Sequence, residues 1–117
     1  ITIHRIVAAT DPGNVVNPQQ IEAQIEGSFA MGLSAALHGE ITVENGRIQQ
    51  ENFDTYPVVT MQEMPAVESL IRPSGGFWGG VGEPTIFVAG PAVINAVFAA
   101  TGKRIRQLPL DSNSLKS

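Results

Sequence analysis

The segment that decides the fold is NPQQIEAQIEGSFAMGLSAALHG, residues 17–39. Its apolar side chains recur every three or four residues, which is the spacing of one helix face; they are Ile21, Ile25, Phe29, Leu33, Ala36 and Leu37. Asn17 is a favoured N-cap residue, and Pro18 is favoured at the first helical position. The segment therefore predicts an amphipathic helix over residues 18–38.

Two glycines interrupt this predicted helix. Gly27 and Gly32 each cost about 1 kcal/mol of helix stability relative to alanine. We therefore expect another backbone or a ligand to pack against that face, with loose packing as the alternative. Gln24 lies on the first half of the same helix, and by residue type alone it is an ordinary surface side chain.

The flanking sequence predicts a mixture of strands and one more helix. Residues 1–9 alternate and then become continuously apolar, which indicates a strand. The later elements are a type I′ hairpin at Asn45-Gly46, a strand at 66–71, a helix beginning at Gly90-Pro91 and ending at Gly102, and a short strand at 104–108. The predicted class is α+β with a mixed or antiparallel sheet, in the order β-α-β-β-β-α-β.

Composition limits the classes of function. Charged residues make up 15% of the 117 residues, against about 25% in typical domains, so part of the surface is expected to contact more protein. The net charge of −4 disfavours nucleic acid as a partner. The chain has no cysteine, which excludes disulfides, thiolate metal sites and a cysteine nucleophile within it.

Domain organisation is predicted to be simple. Residues 1–110 form one globular portion, and residues 111–117 form a polar tail. The chain begins with Ile1 inside a predicted strand, which suggests a piece of a longer polypeptide. No apolar run approaches the ~18 residues of a membrane span, so no span is expected. Localisation stays open.

A glycine-rich stretch, GGFWGGVGEP at residues 75–84, contains five of the 12 glycines and the only tryptophan. Glu83 is the one ionisable side chain in it, which makes this residue a candidate general base. An ordinary surface turn that contains a glutamate is the alternative. The stretch matches neither a phosphate-binding P-loop nor a dinucleotide-binding fingerprint, and no nucleophile elbow or zinc motif occurs elsewhere.

Five segments together resemble a known family, because their order and spacing are specific although each alone is weak. They are QIEG (24–27), GLSAAL (32–37), GVGEP (80–84), PAVINA (91–96) and ATGKRIRQLP (100–109). Their order resembles the C-terminal part of the molybdenum-binding subunit in the xanthine oxidase family. The version here looks most like the beta subunit of isoquinoline 1-oxidoreductase and related bacterial aldehyde dehydrogenases.

The resemblance implies a cofactor and three site residues. The cofactor is a molybdopterin, often in the cytosine dinucleotide form, whose dithiolene holds molybdenum without a protein ligand. The implied reaction is oxidation of an aldehyde or an N-heterocycle with oxygen from water. Glu83 matches the family's glutamate base, Gln24 matches a glutamine that reaches the pterin, and Gly82 would bring the backbone close to the cofactor.

The resemblance also implies partners. They are the remainder of the large subunit, a separate iron–sulfur subunit and the small-molecule substrate, so this piece alone is expected to be inactive and to lack the cofactor. Family members commonly carry further prolines after the Glu-Pro pair, where this chain has Thr85-Ile86-Phe87-Val88. The course of residues 85–90 is therefore open. A rival hypothesis is a non-catalytic α+β module for protein interaction.

Overall fold

The computed structural model describes residues 1–110 and Leu115, so most of the predicted tail at 111–117 lies outside the described residues. The elements are β1 (Arg5–Thr10), α1 (Pro18–Leu37), β2 (Val43–Glu44), β3 (Arg47–Ile48), β4 (Ala66–Ile71) and α2 (Glu83–Thr101). The α+β class is confirmed. The strands form two separate two-stranded sheets, one parallel and one antiparallel.

The parallel sheet pairs β1 with β4, in register from Arg5 opposite Ala66 to Thr10 opposite Ile71. Because the strands are parallel, both run into their following loops at the same edge. The antiparallel sheet is the predicted hairpin of β2 and β3. Asn45 and Gly46 have φ angles of 51° and 78°, and a type I′ turn requires positive φ at both central residues.

Helix α1 begins as the sequence predicts. The side chain of Asn17 accepts a hydrogen bond from the backbone N–H of Gln20 at 3.3 Å, which satisfies one free donor of the first turn. The buried face of α1 packs against α2, and the largest buried apolar side chains of the two helices are Ile21, Ile25, Phe29, Leu33, Val93 and Val97. The helix pair is the core of the described chain.

The two glycines of α1 have different surroundings. A Cβ atom on Gly32 would lie 2.5 Å from the carbonyl oxygen of Ile86 and 2.6 Å from the Cβ of Ala89. The expectation of a second backbone against this glycine is therefore confirmed, and the backbone is that of α2. At Gly27 a Cβ atom would meet nothing within 4 Å, so none of the described residues packs there.

The predicted start of α2 at Gly90-Pro91 is wrong. The helix begins at Glu83, with Pro84 in its first turn, and Pro91 lies inside it. An internal proline costs roughly 3 kcal/mol because it removes one helical hydrogen bond and crowds the preceding turn. Here the first half of α2 buries Thr85 and Ala89 against α1, so tertiary packing outweighs the proline signal.

The predicted strand at residues 104–108 is also wrong, since this segment has no strand conformation. An alternating segment becomes a strand only where it finds an edge to pair with. This segment instead runs past the end of α1, where the backbone N–H of Leu110 donates to the carbonyl of Ala36 at 2.8 Å. The Arg104 guanidinium lies over the Phe98 ring, 3.6 Å from its centroid.

With its true start at Glu83, α2 is the one helix among the described residues long and apolar enough to cross a membrane, by length and composition alone. The expectation that no apolar segment reaches this length is therefore wrong. Core helices of globular proteins can have the same length and composition, and one face of α2 packs on α1. Most of its remaining surface is exposed, whereas its composition predicts burial on several sides.

Candidate functional site

Two loops meet at the carboxyl edge of the parallel sheet. The turn at residues 11–14 follows β1, and the segment from Arg72 to Gly82 follows β4. The backbone N–H of Arg72 donates to the carbonyl of Thr10 at 2.9 Å, so strand pairing continues to the point where the loops begin. We call residues 75–82 the glycine loop.

Asp11 joins the two loops through a single carboxylate oxygen. Its Oδ1 atom accepts hydrogen bonds from the backbone N–H of Gly13 at 2.8 Å, the N–H of Ser74 at 3.1 Å and the hydroxyl of Ser74 at 3.2 Å. The bond from the Gly13 backbone, followed by the two from Ser74, lowers the pKa of Asp11 below its ordinary value. The carboxylate is thus held in its charged form as the acceptor for both loops.

The turn also binds the glycine loop through its backbone. The carbonyl of Gly13 accepts from Gly75 N–H at 2.7 Å, and the carbonyl of Pro12 accepts from Gly79 N–H at 3.0 Å. Gly13 has φ +77°, and a Cβ atom on it would lie 1.9 Å from the carbonyl oxygen of Phe77. Only glycine can therefore occupy this position while the loop packs against the turn.

The far end of the glycine loop is fixed to α1. The Ser28 and Thr85 hydroxyls, both buried, are in contact with each other. Thr85 Oγ1 lies 3.1 Å from the carbonyl oxygen of Gly82, and Ser28 Oγ lies 2.8 Å from the carbonyl oxygen of Ile25. Because each hydroxyl has a single proton to donate, two of these three contacts are hydrogen bonds at any one time. These contacts fix where α2 begins, and they place its first residue, Glu83, beside α1.

The structure brings the three residues of the predicted site together. The Oε1 atom of Gln24 lies 3.1 Å from the position that a Cβ on Gly82 would occupy, and Glu83 follows Gly82 directly. Gln24 and Glu83 are exposed. Glu83 is the first residue of α2, where a carboxylate is favoured by the helix dipole.

The glycine loop does not enclose Glu83 in a dry environment. Phe77 is 93% exposed and Trp78 is 59% exposed, so among the described residues these rings do not cover the carboxylate. A groove of about 700 Å³ lies away from Glu83. It runs between β1 and α2 and is lined mainly by apolar side chains, and Glu83 is not among its lining residues.

A metal at this site would need ligands from outside the described side chains, since residues 1–110 and Leu115 bring together no three His, Cys, Asp or Glu residues that could hold one. That arrangement is compatible with a metal carried by its own organic cofactor. The exposed amide of Gln24, the absent side chain at Gly82 and the exposed carboxylate of Glu83 leave an open polar surface for such a group.

Sequence reasoning missed the residues that hold this surface in place. The sequence Asp11-Pro12-Gly13-Asn14 predicts a turn but no contact with another loop, and no motif marks Ser74, Ser28 or Thr85. The contact between Asp11 and Ser74 is expected only once the first strand is paired in parallel with the strand at 66–71.

Comparison with known proteins shows which family the chain resembles. The family model described as "Molybdopterin cofactor-binding domain" matches residues 1–65, which include β1, the turn at 11–14 and all of α1. That match covers more than half of the chain. It contains Gln24, whereas Gly82 and Glu83 lie beyond it.

Two curated relatives and one solved structure extend the likeness over most of the chain. The chain is 34% identical over 110 residues to isoquinoline 1-oxidoreductase subunit beta of Brevundimonas diminuta. It is 34% identical over 110 residues to the membrane-bound aldehyde dehydrogenase [pyrroloquinoline-quinone] of Gluconacetobacter polyoxogenes. Each match covers 94% of this chain and 14% of the relative.

The solved structure is that of a Cu,Mo-CO dehydrogenase in the carbon monoxide reduced state. It superposes with a TM-score of 0.83 at 26% identity, over 97% of this chain and 16% of that one. The chain therefore spans about one seventh of the length of the proteins it matches. It belongs to the molybdopterin cofactor-binding domain family, as part of the molybdenum-binding subunit of a xanthine oxidase family enzyme.

Proposed function

We propose that this chain contributes the general base, Glu83, to a molybdenum hydroxylase or dehydrogenase. The substrate is an aldehyde or an N-heterocycle, and the inserted oxygen comes from water. The remainder of the large subunit supplies most of the substrate pocket, and an iron–sulfur subunit carries the electrons away. Residues 1–110 are then the C-terminal portion of the cofactor-binding domain.

The observation that carries the proposal is the proximity of Gln24, Gly82 and Glu83. Gln24 lies 58 residues before Gly82 in the sequence, and Glu83 follows Gly82 directly. In the structure the Oε1 atom of Gln24 lies 3.1 Å from the position that a Cβ on Gly82 would occupy. The Gln24 and Glu83 side chains are both polar and exposed, in a chain with few charges.

Each residue has a distinct part in the proposed site. The Gln24 amide, with both donor and acceptor atoms, would hold the polar edge of the pterin, here proposed as the cytosine dinucleotide form. Gly82 would let the cofactor approach the backbone because it has no side chain; a Cβ there would lie 3.1 Å from Gln24 Oε1, close enough to shift that amide by a few tenths of an ångström. When bound, the molybdenum cofactor supplies the centre that accepts two electrons from the substrate.

Glu83 would accept the proton of the water-derived nucleophile as the nucleophile bonds to the substrate carbon. A positioned base of this kind contributes roughly 10²–10⁴-fold to the rate. Its place at the start of α2 sets where its side chain begins, because the buried Thr85 hydroxyl holds the same turn against Ser28 of α1.

The test is a Glu83→Gln substitution in the complete enzyme that contains this chain. We expect the molybdenum content per subunit to stay at the wild-type level, while kcat falls by roughly 10²–10⁴-fold because the amide cannot take the proton. Glu22→Gln, an exposed carboxylate on α1, is the matched control and should leave kcat unchanged. A wild-type kcat in the Glu83→Gln enzyme would refute the base assignment.

The same preparations identify the cofactor. Metal analysis should find about one molybdenum per large subunit. The name of one relative gives pyrroloquinoline quinone as its cofactor, so the quinone should be extracted and measured in parallel. Active enzyme with the quinone and no molybdenum would overturn the proposal, and it would leave the interaction-module hypothesis as the better account of this chain.

A further inference from the structure

We propose that Asp11 is a positioning residue for this reaction, because its carboxylate holds Ser74, the residue that enters the glycine loop leading to Glu83 at the start of α2. The proposal rests on the proposed function of Glu83. It adds a residue that lies 72 positions away in the sequence and that needs no contact with substrate or cofactor.

The first step is that the bonds of Asp11 reach beyond its own turn. An isolated turn of this sequence needs only the bond from Gly13 N–H to the carboxylate. Here the same oxygen also accepts both the N–H and the hydroxyl of Ser74, 63 residues away. Hydrogen bonds to a charged acceptor are stronger than those between neutral groups, so the carboxylate is suited to joining two segments.

The second step is that the joined segment is held along its length. Beyond Ser74, the N–H groups of Gly75 and Gly79 donate to carbonyls of the turn at 11–14, and Asn14 Nδ2 donates to the carbonyl of Gly76 at 2.9 Å. Pro12 lies at the centre of this turn and is one of the largest fully buried side chains. The turn is therefore a fixed support to which the loop is bound.

The third step is that little chain separates this support from Glu83. The bound part of the loop ends at Gly79, and the contacts with α1 begin again at Gly82. Only Gly80 and Val81 lie between them, so the three Cα–Cα steps from Gly79 to Gly82 span at most about 11 Å. Loss of the Asp11 bonds leaves the backbone bonds of Gly75 and Gly79 and the bond from Asn14 as the remaining contacts with the turn, so the chain that enters α2, and the Glu83 carboxylate on it, is held less tightly.

Hydrogen exchange measures the positioning directly, in the complete enzyme and independently of activity. In Asp11→Ala we expect faster amide exchange in a peptide covering residues 72–82, by roughly tenfold, because Ser74 loses its acceptor at the entry to the loop. Glu63→Ala is the matched control. Glu63 also accepts a backbone N–H and a hydroxyl, both from Thr60 at 2.9 Å, so its loss should speed exchange near Thr60 and leave residues 72–82 unchanged.

Steady-state kinetics of the same enzymes measure the consequence for catalysis. Asp11→Ala should lower kcat by about tenfold, at constant molybdenum content and with KM within about threefold, since positioning of the base is lost rather than substrate binding. Asp11→Asn should recover much of this loss, because its amide oxygen can still accept the three bonds. Glu63→Ala should keep the wild-type kcat.

Unchanged exchange at residues 72–82 in Asp11→Ala would overturn the proposal, and so would raised exchange with a wild-type kcat. If Asp11→Ala does not fold, Ser74→Ala removes one of the two inter-loop bonds and should give the same changes at smaller size. Failure of the base assignment is recognised separately, because it shows as a wild-type kcat in Glu83→Gln whatever the exchange result.

Discussion

The α1–α2 interface and the glycine loop lie side by side, but different forces hold them. The interface consists of buried apolar side chains, with Ile25 at 0% and Leu33 at 1% exposure. The glycine loop is held by hydrogen bonds from its backbone to the turn at residues 11–14, while Phe77 and Trp78 remain exposed.

The two regions therefore have different parts: the α1–α2 interface stabilises the fold, and the glycine loop bears on the proposed chemistry. Burial of apolar surface contributes most of the folding free energy, so the helix pair gives the described chain its stability. The loop adds little buried surface, but its backbone is fixed at both ends. The Ser28–Thr85 pair is the link, since it belongs to the interface and sets the start of α2 at Glu83.

The largest effect should come from Leu33→Ala. Removing a side chain that is 1% exposed loses its burial and leaves a cavity, at a cost of about 3 kcal/mol. Met31→Ala, at 64% exposure on the same helix, should change the unfolding free energy by less than about 0.5 kcal/mol. Urea denaturation of the purified chain measures both. Equal effects at the two positions would mean that α1 does not present this face to α2.

Substitution of the two glycines of α1 should give the next largest changes in the free energy of unfolding, and these changes should have opposite signs. Gly32→Ala should lower the unfolding free energy by about 2 kcal/mol, because the new methyl group overlaps the α2 backbone at Ile86. Gly27→Ala should raise it by up to about 1 kcal/mol, because the methyl group meets nothing and alanine favours the helix. The same denaturation experiment checks the pair. A stabilised Gly32→Ala chain would contradict the close approach of the helices.

Much of this fold was predictable because it depends on local patterns. The helical spacing from Ile21 to Leu37, the cap at Asn17 and the turn at Asn45-Gly46 are local signals, and the structure confirms each of them. The start of α2 was not predictable from Pro91, since burial of Thr85 and Ala89 against α1 decides it. The strand predicted at 104–108 is absent because the segment runs past the end of α1, where Leu110 N–H donates to the carbonyl of Ala36, instead of pairing with β1 or β4.

The site was predictable in part, and only through resemblance. Neither Gln24 nor Glu83 could be distinguished from ordinary surface residues by its chemistry alone. The structure places them together, and their roles stay predictions. Asp11 was missed because its partner, Ser74, lies 63 residues away, and no periodicity in the sequence relates two loops that meet only when β1 and β4 pair in parallel.

The smallest effect should be a pH dependence confined to the loop. The pKa of Asp11 lies below its ordinary value of 3.8, chiefly because of the hydrogen bond from Gly13 N–H. A depressed pKa means that the bonds contribute fully above pH 3.8, and that their contribution is lost as the pH falls through the lower, folded value. Trp78 is the only tryptophan of the chain, so its fluorescence in the purified chain reports on the loop.

We expect the Trp78 emission to change below pH 3.8, before the far-ultraviolet circular dichroism of the helices does. Asp11→Asn should lack this step, because its amide does not titrate. Glu63→Gln should retain it, although the pKa of Glu63 is also depressed, chiefly by the hydrogen bond from the backbone of Thr60. If Asp11→Asn shows the same change in Trp78 emission, a group other than Asp11 causes it. The hydrogen bonds of Asp11 would then not be what distinguishes the loop from the hydrophobic interface.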